Sequence, residues 1–259
     1  MADYTYKDIV NVIKKLGLKK GDRIFSHSNI GFFGRCEGIN NAQNLCEQFK
    51  NAFFEVIGQE GTLIVPTFTY SFCHKEVFEP KTTVSNMGLF SEYIRNLPEA
   101  IRSFDGNFSV SAIGKDAEYF TENTPEYSFG KGSFWDKFKS YDGKFVNLNF
   151  DSGSTYIHYV EKRLDVPYRW DKPFDGIIKI DDKTQNARFY HYVWDPEIPD
   201  HCPDFIKFDR LAKLKGIAKQ EYLGKGTVLV ISAIDTYNLI KEELSKDISF
   251  LLKGNYHAA

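Results

Sequence analysis

The chain has 259 residues, 42% of them apolar and 26% charged, which suits a soluble globular protein long enough to bury a sizeable core. With 33 basic and 35 acidic side chains the formal net charge is −2, so no global field draws the chain to nucleic acid or to an anionic membrane. A charged ligand therefore needs a local patch. The four cysteines (Cys36, Cys46, Cys73, Cys202) form no C-x-x-C pair and match no zinc spacing, so free thiols in a reducing cytosol are expected. No apolar stretch reaches the roughly 20 residues of a membrane span, and the opening MADYTYKDIVNVIKKLG lacks an apolar run fit for export. A cytoplasmic location is expected.

Ile9, Val10, Ile13 and Leu16 fall on one face of a helix over 6–16, closed by Gly17. Residues 23–28 read as a strand ending in small polar residues. A glycine-bearing loop, SNIGFFGRCEG, leads to a helix over 42–57 with Asn40 as its cap. Strand, polar loop and helix in succession commonly hold a ligand at the strand's carboxyl end, where free backbone N–H groups can bind phosphate. Neither a P-loop nor a dinucleotide glycine pattern is present, and no G-x-S-x-G elbow marks a serine hydrolase. Residues 62–65 form a short apolar strand, and Thr67 and Thr69 place hydroxyls at its tip. A long loop over 71–86 carries His74, and such loops are often functional. Ser85 to Gly88 opens a helix over 89–97, where Glu92 and Arg95 can pair.

At mid-chain, Asp105-Gly106-Asn107 reads as a turn, because glycine tolerates positive φ and Asp and Asn bond their own backbone. Residues 108–113 then alternate as a half-buried strand does. An acid at the mouth of a strand suits a general base, though the same pair also serves a plain turn. Gly130, Lys131, Gly132 and Ser133 make a donor-rich loop able to touch phosphate. A strand over 144–150 runs into DSGSTYIHYVEKRL, where Ser154 or Thr155 caps a helix bearing His158 and Glu161. These two stand on one helical face, and a carboxylate there raises the imidazole pKa and fixes its orientation. A core histidine with a satisfied partner has the same spacing. From Pro167 onward, short β-like runs (176–180 and 187–194) flank a hairpin tip at 181–184. The run ARFYHYVWD offers Tyr190, His191 and Trp194 for gripping a polar planar or sugar ligand. A strand over 226–231 and an amphipathic helix over 234–252 close the chain. One compact unit is expected: an α/β core over 1–166, a β-rich region over 167–225, and a return strand and helix over 226–259.

Several blocks, taken together, resemble one family: GDRIFSHSNIGFFGRCEG, GTLIVPTFTYSF, IRSFDGNFSVSAIG, FGKGSFWDKF and FDSGSTYIHYVE, spanning Gly21 to Glu161. In order and spacing they resemble the antibiotic N-acetyltransferases typified by the aminoglycoside 3-N-acetyltransferases. The resemblance implies an α/β fold with a mixed central sheet, helices on both faces and a β-rich later region. It also implies acyl transfer from an acyl-coenzyme A to an amine, without a metal. On this basis Ser26, His27, Ser28, Gly31, Phe33 and Gly34 match the family's coenzyme A loop, with Ser26 and Asn29 departing from the commonest pattern. Thr67, Thr69, Ser109, Lys131 and Ser133 extend that cofactor set, although Phe134 stands where the family usually has Pro. His158 and Glu161 match its H-x-x-E, whose histidine is implicated in catalysis. The family commonly reads R-S-x-H-P-x-x-S at the centre. Here Arg102, Ser103 and Ser109 fit, while Asp105 and Gly106 stand in the His-Pro positions.

That departure turns the expectation towards the branch acylating nucleotide-linked amino-deoxysugars for surface polysaccharide, typified by the anthrose pathway. An aminoglycoside 3-N-acetyltransferase is one alternative. A catalytically inactive sugar-nucleotide or coenzyme A binding protein is another. An ammonium must lose a proton before it attacks a thioester, and a placed general base is typically worth about 10²–10⁴-fold. Asp105 is the expected base, together with His158, and His74 stands in reserve. Hydroxyls of Thr67, Thr69, Ser85 or Ser109 would steady the oxyanion. Tyr70, Glu161, Tyr190, His191 and Trp194 would meet the amino sugar. The expected partners are small molecules, with no nucleic acid and no membrane, and the chain would act as a monomer or homodimer.

Overall fold

The computed structural model describes residues 1–256. In chain order the elements are α1 (Tyr6–Lys15), β1 (Arg23–Phe25), α2 (Ala42–Ile57), β2 (Thr62–Pro66), α3 (Leu89–Arg95), β3 (Ile101–Arg102), β4 (Val110–Gly114), α4 (Ala117–Thr121) and α5 (Phe134–Ser140). There follow β5 (Lys144–Leu148), α6 (Tyr156–Arg163), β6 (Trp170–Ile180), β7 (Lys183–Val193), α7 (Ile206–Leu214), β8 (Lys219–Leu223), β9 (Gly226–Ser232) and α8 (Ala233–Lys246). Seven strands build one mixed sheet in the order β3-β4-β2-β1-β5-β9-β8, and β6 and β7 form a separate hairpin. β1 runs parallel to both β2 and β5, while β4 and β9 are antiparallel to their inner neighbours.

Strand alternation sends successive side chains to opposite faces, and this sheet buries both. Ile24, Leu63, Val65, Ile113, Val146 and Leu148 pack with buried residues of α1, α2 and α3. Phe25, Ile64, Ala112, Phe145, Leu229 and Ile231 pack with those of α4 to α8. A small cluster of Phe72, Phe78, Ile178 and Phe189 seats the hairpin. Backbone bonds also fix it, from Phe78 N to Ile177 O, Ser128 N to Tyr190 O and Tyr190 N to Glu126 O.

The expected mixed sheet with helices on both faces is present, with five local differences. Asn41, not Asn40, caps α2 by accepting from Asn44 N at 2.8 Å, since the capping residue must directly precede the first helical one. FWDKF, which follows the 130–133 loop, opens helix α5 with Ser133 as its cap. Neither Ser154 nor Thr155 caps α6 through its side chain. The hairpin strands run 11 residues each, longer than the apolar runs suggest, because most of their residues are partly or fully exposed and carry no burial period. α8 stops at Lys246 where Asp247 turns extended and bonds Ser249 N. Beyond the hairpin, the 167–225 stretch also contains α7, and its β8 joins the main sheet.

Candidate active site

The topology directs attention to one edge of the sheet. β1 and β5 are parallel neighbours, yet α2, which follows β1, packs on one face, and α6, which follows β5, packs on the other. Connections that part in this way leave a crevice beyond the carboxyl ends of the strands, where ligands of open α/β sheets bind. The loop 26–28 after β1 and the loop 149–155 after β5 meet there. His27 Nδ1 lies 3.0 Å from Asn147 Oδ1, and its ring faces Phe150 with centroids 6.3 Å apart. Burial holds the His27 imidazole below its ordinary pKa, against Asn147 and Asp151, which favour the charged form. At the start of α6 the Ser154 hydroxyl is buried without a partner among the described residues.

In the first turn of α6, His158 lines a cleft of about 390 Å³ whose walls include Tyr70, Phe108, Phe129, Trp170 and Trp194. Its Nδ1 is 2.8 Å from Glu161 Oε2, and Glu161 is fully buried. The carboxylate fixes the proton on Nδ1 and leaves Nε2 as the basic nitrogen. Glu161 also meets the Arg169 guanidinium at 2.8 Å. The expected upward pull on His158 is therefore outweighed: burial first, then the Arg169 charge, holds its pKa below the usual imidazole value despite Glu161. At neutral pH this ring is uncharged and fit to accept a proton.

Asp105 presents a different picture. Its Oδ1 accepts the N–H groups of Asn107 and Phe108, both at 2.9 Å, and its Oδ2 accepts the Ser128 hydroxyl. His191 Nε2 stands 3.6 Å from Oδ1. Burial alone would raise its pKa, but the His191 charge and these donors outweigh that and hold the carboxyl below the usual range. Only a void of about 20 Å³ adjoins it. A carboxylate so engaged is a weak proton acceptor, and the plain turn anticipated from Asp-Gly-Asn describes it better than a free base does.

The other expected site residues divide. His158, Tyr70, His191 and Trp194 gather around the cleft. Glu161 lies beneath it as the partner of His158 and has no surface for a substrate. Tyr190 turns to the other hairpin face and stacks on Tyr127 at 4.4 Å. Thr67, Thr69 and Ser109 are at most 4% exposed. Thr67 and Ser109 bond each other's carbonyl, Thr69 bonds Gly106 O, and Arg102 ties Ser109 Oγ to Thr67 O. They latch β2 to β4 and leave no free hydroxyl. Phe33 stacks on Phe49 in the core, Gly34 packs on Asp3, and Ser26 is buried against Val146 O. Ser133 caps α5, Ser85 Oγ accepts Met87 N, and His74, Gly31 and Lys131 are exposed outside the cleft.

Cys73, Phe108, Phe129, Arg169, Lys172, Phe174 and Tyr192 line the cleft unannounced by any motif. The pattern Trp170-Asp171-Lys172-Pro173-Phe174-Asp175 held a signal for two of these, Lys172 and Phe174, and for the wall residue Trp170. A strand over it sends Trp170, Lys172 and Phe174 to one face and both acids to the other. Tyr70 occupies the left-handed region at φ +57°, uncommon for a residue with a bulky side chain, and turns the chain at the cleft wall.

The model of the aminoglycoside 3-N-acetyltransferase family matches residues 26–245, and the chain belongs to that family. Aminoglycoside N(3)-acetyltransferase III of Acinetobacter baumannii is 28% identical over 188 residues, covering 64% of each chain. The aminoglycoside N(3')-acetyltransferase-like protein YokD of Bacillus subtilis is 28% identical over 190 residues, 64% of this chain and 66% of that one. The chain thus spans just under two thirds of the length of these curated relatives. Among solved structures, the enzyme described as AAC-IIIb binary with CoASH superposes with a TM-score of 0.81 at 20% identity, over 98% of this chain and 99% of that one. YokD superposes at 0.77 with 20% identity, over 95% of each chain. These superpositions show a shared fold.

Proposed function

We propose that this protein acetylates the primary amine of an amino sugar at the expense of acetyl-coenzyme A, with His158 as the general base. The observation that carries it is the His158 imidazole, held through Nδ1 by a buried carboxylate, on the wall of an aromatic cleft. Acetyl-coenzyme A, when bound, supplies an acyl group activated as a thioester. The donors suited to holding it are the His27 and Ser28 amides, the start of α6, which no side chain caps, and the unpartnered Ser154 hydroxyl; the neighbouring Ser26 and Asn29 amides are already bonded to Ile64 O and Leu148 O. His158 Nε2 accepts the proton that an ammonium acceptor must shed. Glu161 then stabilises the resulting imidazolium, a division of labour between base and orienting carboxylate that recurs in enzymes. Trp170, Phe174 and Trp194 offer flat apolar faces to a sugar ring.

Two acceptors divide the reading. The relatives' names speak for an aminoglycoside amine. Lys172 is exposed on the cleft wall, whereas the other cation there, Arg169, is buried against Glu161, and Asp171 and Asp175 point away; a lysine with no acid of the described residues beside it on that wall favours an amino sugar carrying an anionic group, such as a nucleotide-linked one. The test is release of free thiol from acetyl-coenzyme A with a kanamycin-type amine and with a nucleotide-linked amino sugar. Turnover of either supports acetyl transfer, and the ratio of kcat/KM chooses between them. Calorimetry with coenzyme A separates an enzyme from an inactive sugar-nucleotide binder: absence of both binding and turnover would sink the proposal.

A further inference from the structure

Asp105 joins three elements that the chain keeps far apart. Its own turn is held through the Asn107 and Phe108 amides. Segment 126–128 is held through the Ser128 hydroxyl. The hairpin is reached through His191, 3.6 Å away on β7. Segment 126–128 itself bonds β7, through Ser128 N to Tyr190 O and Tyr190 N to Glu126 O. One buried carboxylate thus sits where the turn, the strap and the hairpin meet.

The surroundings sharpen its role. The His191 ring is clamped between Phe174, stacked at 4.8 Å, and the edge of Phe108 at 4.6 Å. Phe108 contacts Phe129, and Phe129 meets His158 edge-on at 5.8 Å. Phe108, Phe129, Phe174 and His191 all line the cleft. His191 is the one cationic or potentially cationic side chain of the described residues within ion-pair distance of Asp105. Moving Asp105 therefore moves the hairpin wall relative to His158, without touching the base itself.

We propose that Asp105 is a positioning residue: through Ser128 and His191 it sets the distance between the hairpin wall, which receives the acceptor, and the His158 side of the cleft. This rests on the acetyl-transfer reading, but one arm of its test does not. In Asp105→Ala the acceptor KM should rise about tenfold or more while kcat stays within about threefold and the acetyl-coenzyme A KM is unchanged. Hydrogen exchange of the Ser128 and Tyr190 amides should quicken about tenfold or more, with the amides of α2 unaffected. Ser128→Ala, a milder change, should move the same quantities in the same direction, and Asp105→Ala combined with Ser128→Ala should be less than additive. A fall in kcat of about 100-fold with KM unchanged would overturn the proposal in favour of a catalytic role. Unchanged KM and unchanged exchange at Ser128 and Tyr190 would overturn it as well. If wild type acetylates no amine, the functional reading fails, and the exchange experiment still decides the clamp.

Discussion

Two buried carboxylates, Glu161 and Asp105, each sit against a histidine of one cleft, yet their surroundings give them different work. Glu161 shares its charge with Arg169, whose side chain is only 2% exposed, while burial first and then the Arg169 charge hold the His158 pKa below the usual imidazole value. Removing the charge in Glu161→Gln strands the Arg169 guanidinium. Breaking a buried pair in this way costs about 3–5 kcal/mol, and losing imidazolium stabilisation should lower kcat about tenfold. Thermal unfolding and steady-state rates check both; a variant as stable and as fast as wild type would remove Glu161 from the account. Because the His158 pKa is depressed, the acid limb of kcat/KM should lie below about 6.5, the ordinary histidine value. A limb above that value contradicts a neutral base on the cleft wall.

At the scale of elements, short turn chemistry places the site. Ser133 accepts Asp136 N to cap α5, Asp136 accepts Gly132 N, and Tyr159 of α6 donates to Asp136 at 2.6 Å. Ser133→Ala should cost about 1 kcal/mol by loss of the cap, measured by denaturant unfolding, with coenzyme A affinity unchanged. Weakened binding at unchanged stability would instead restore Ser133 as a cofactor contact. Gly106 is required by close approach, since a Cβ there meets the Phe72 ring, and Gly176 of β6 faces the same ring. Helices such as α1 and α2 were legible because their apolar spacing repeats over several turns. The Asp105 turn and the H-x-x-E pair were legible as local patterns. Their duties were not, because they depend on partners outside the local pattern: Ser128 and His191, 23 and 86 residues beyond Asp105, and Arg169 beyond the end of α6. The hairpin escaped for a different reason: its outer face is solvated, so no burial period betrays its length.

For the molecule as a whole, the two half-buried histidines His27 and His158 tie stability to pH. Both have pKa values held below the unfolded value by burial. Between the folded and unfolded pKa the unfolded chain binds more protons, so stability rises with pH there. That contribution is complete above about 6.5 and is lost as pH falls through the folded values; Asp105, also depressed, adds a loss at lower pH. Tm should therefore drop on going from pH 7 to pH 5, and less so in a His27→Gln variant; an equal drop would discount His27. The sheet brings both histidines to one edge because β1 and β5 are parallel neighbours whose following helices part. The central claim is most directly tested by thiol release in His158→Asn with acetyl-coenzyme A and a saturating amine acceptor. With Tm retained, kcat should fall by about 10²-fold or more. A folded variant acetylating at the wild-type rate would contradict His158 as the base.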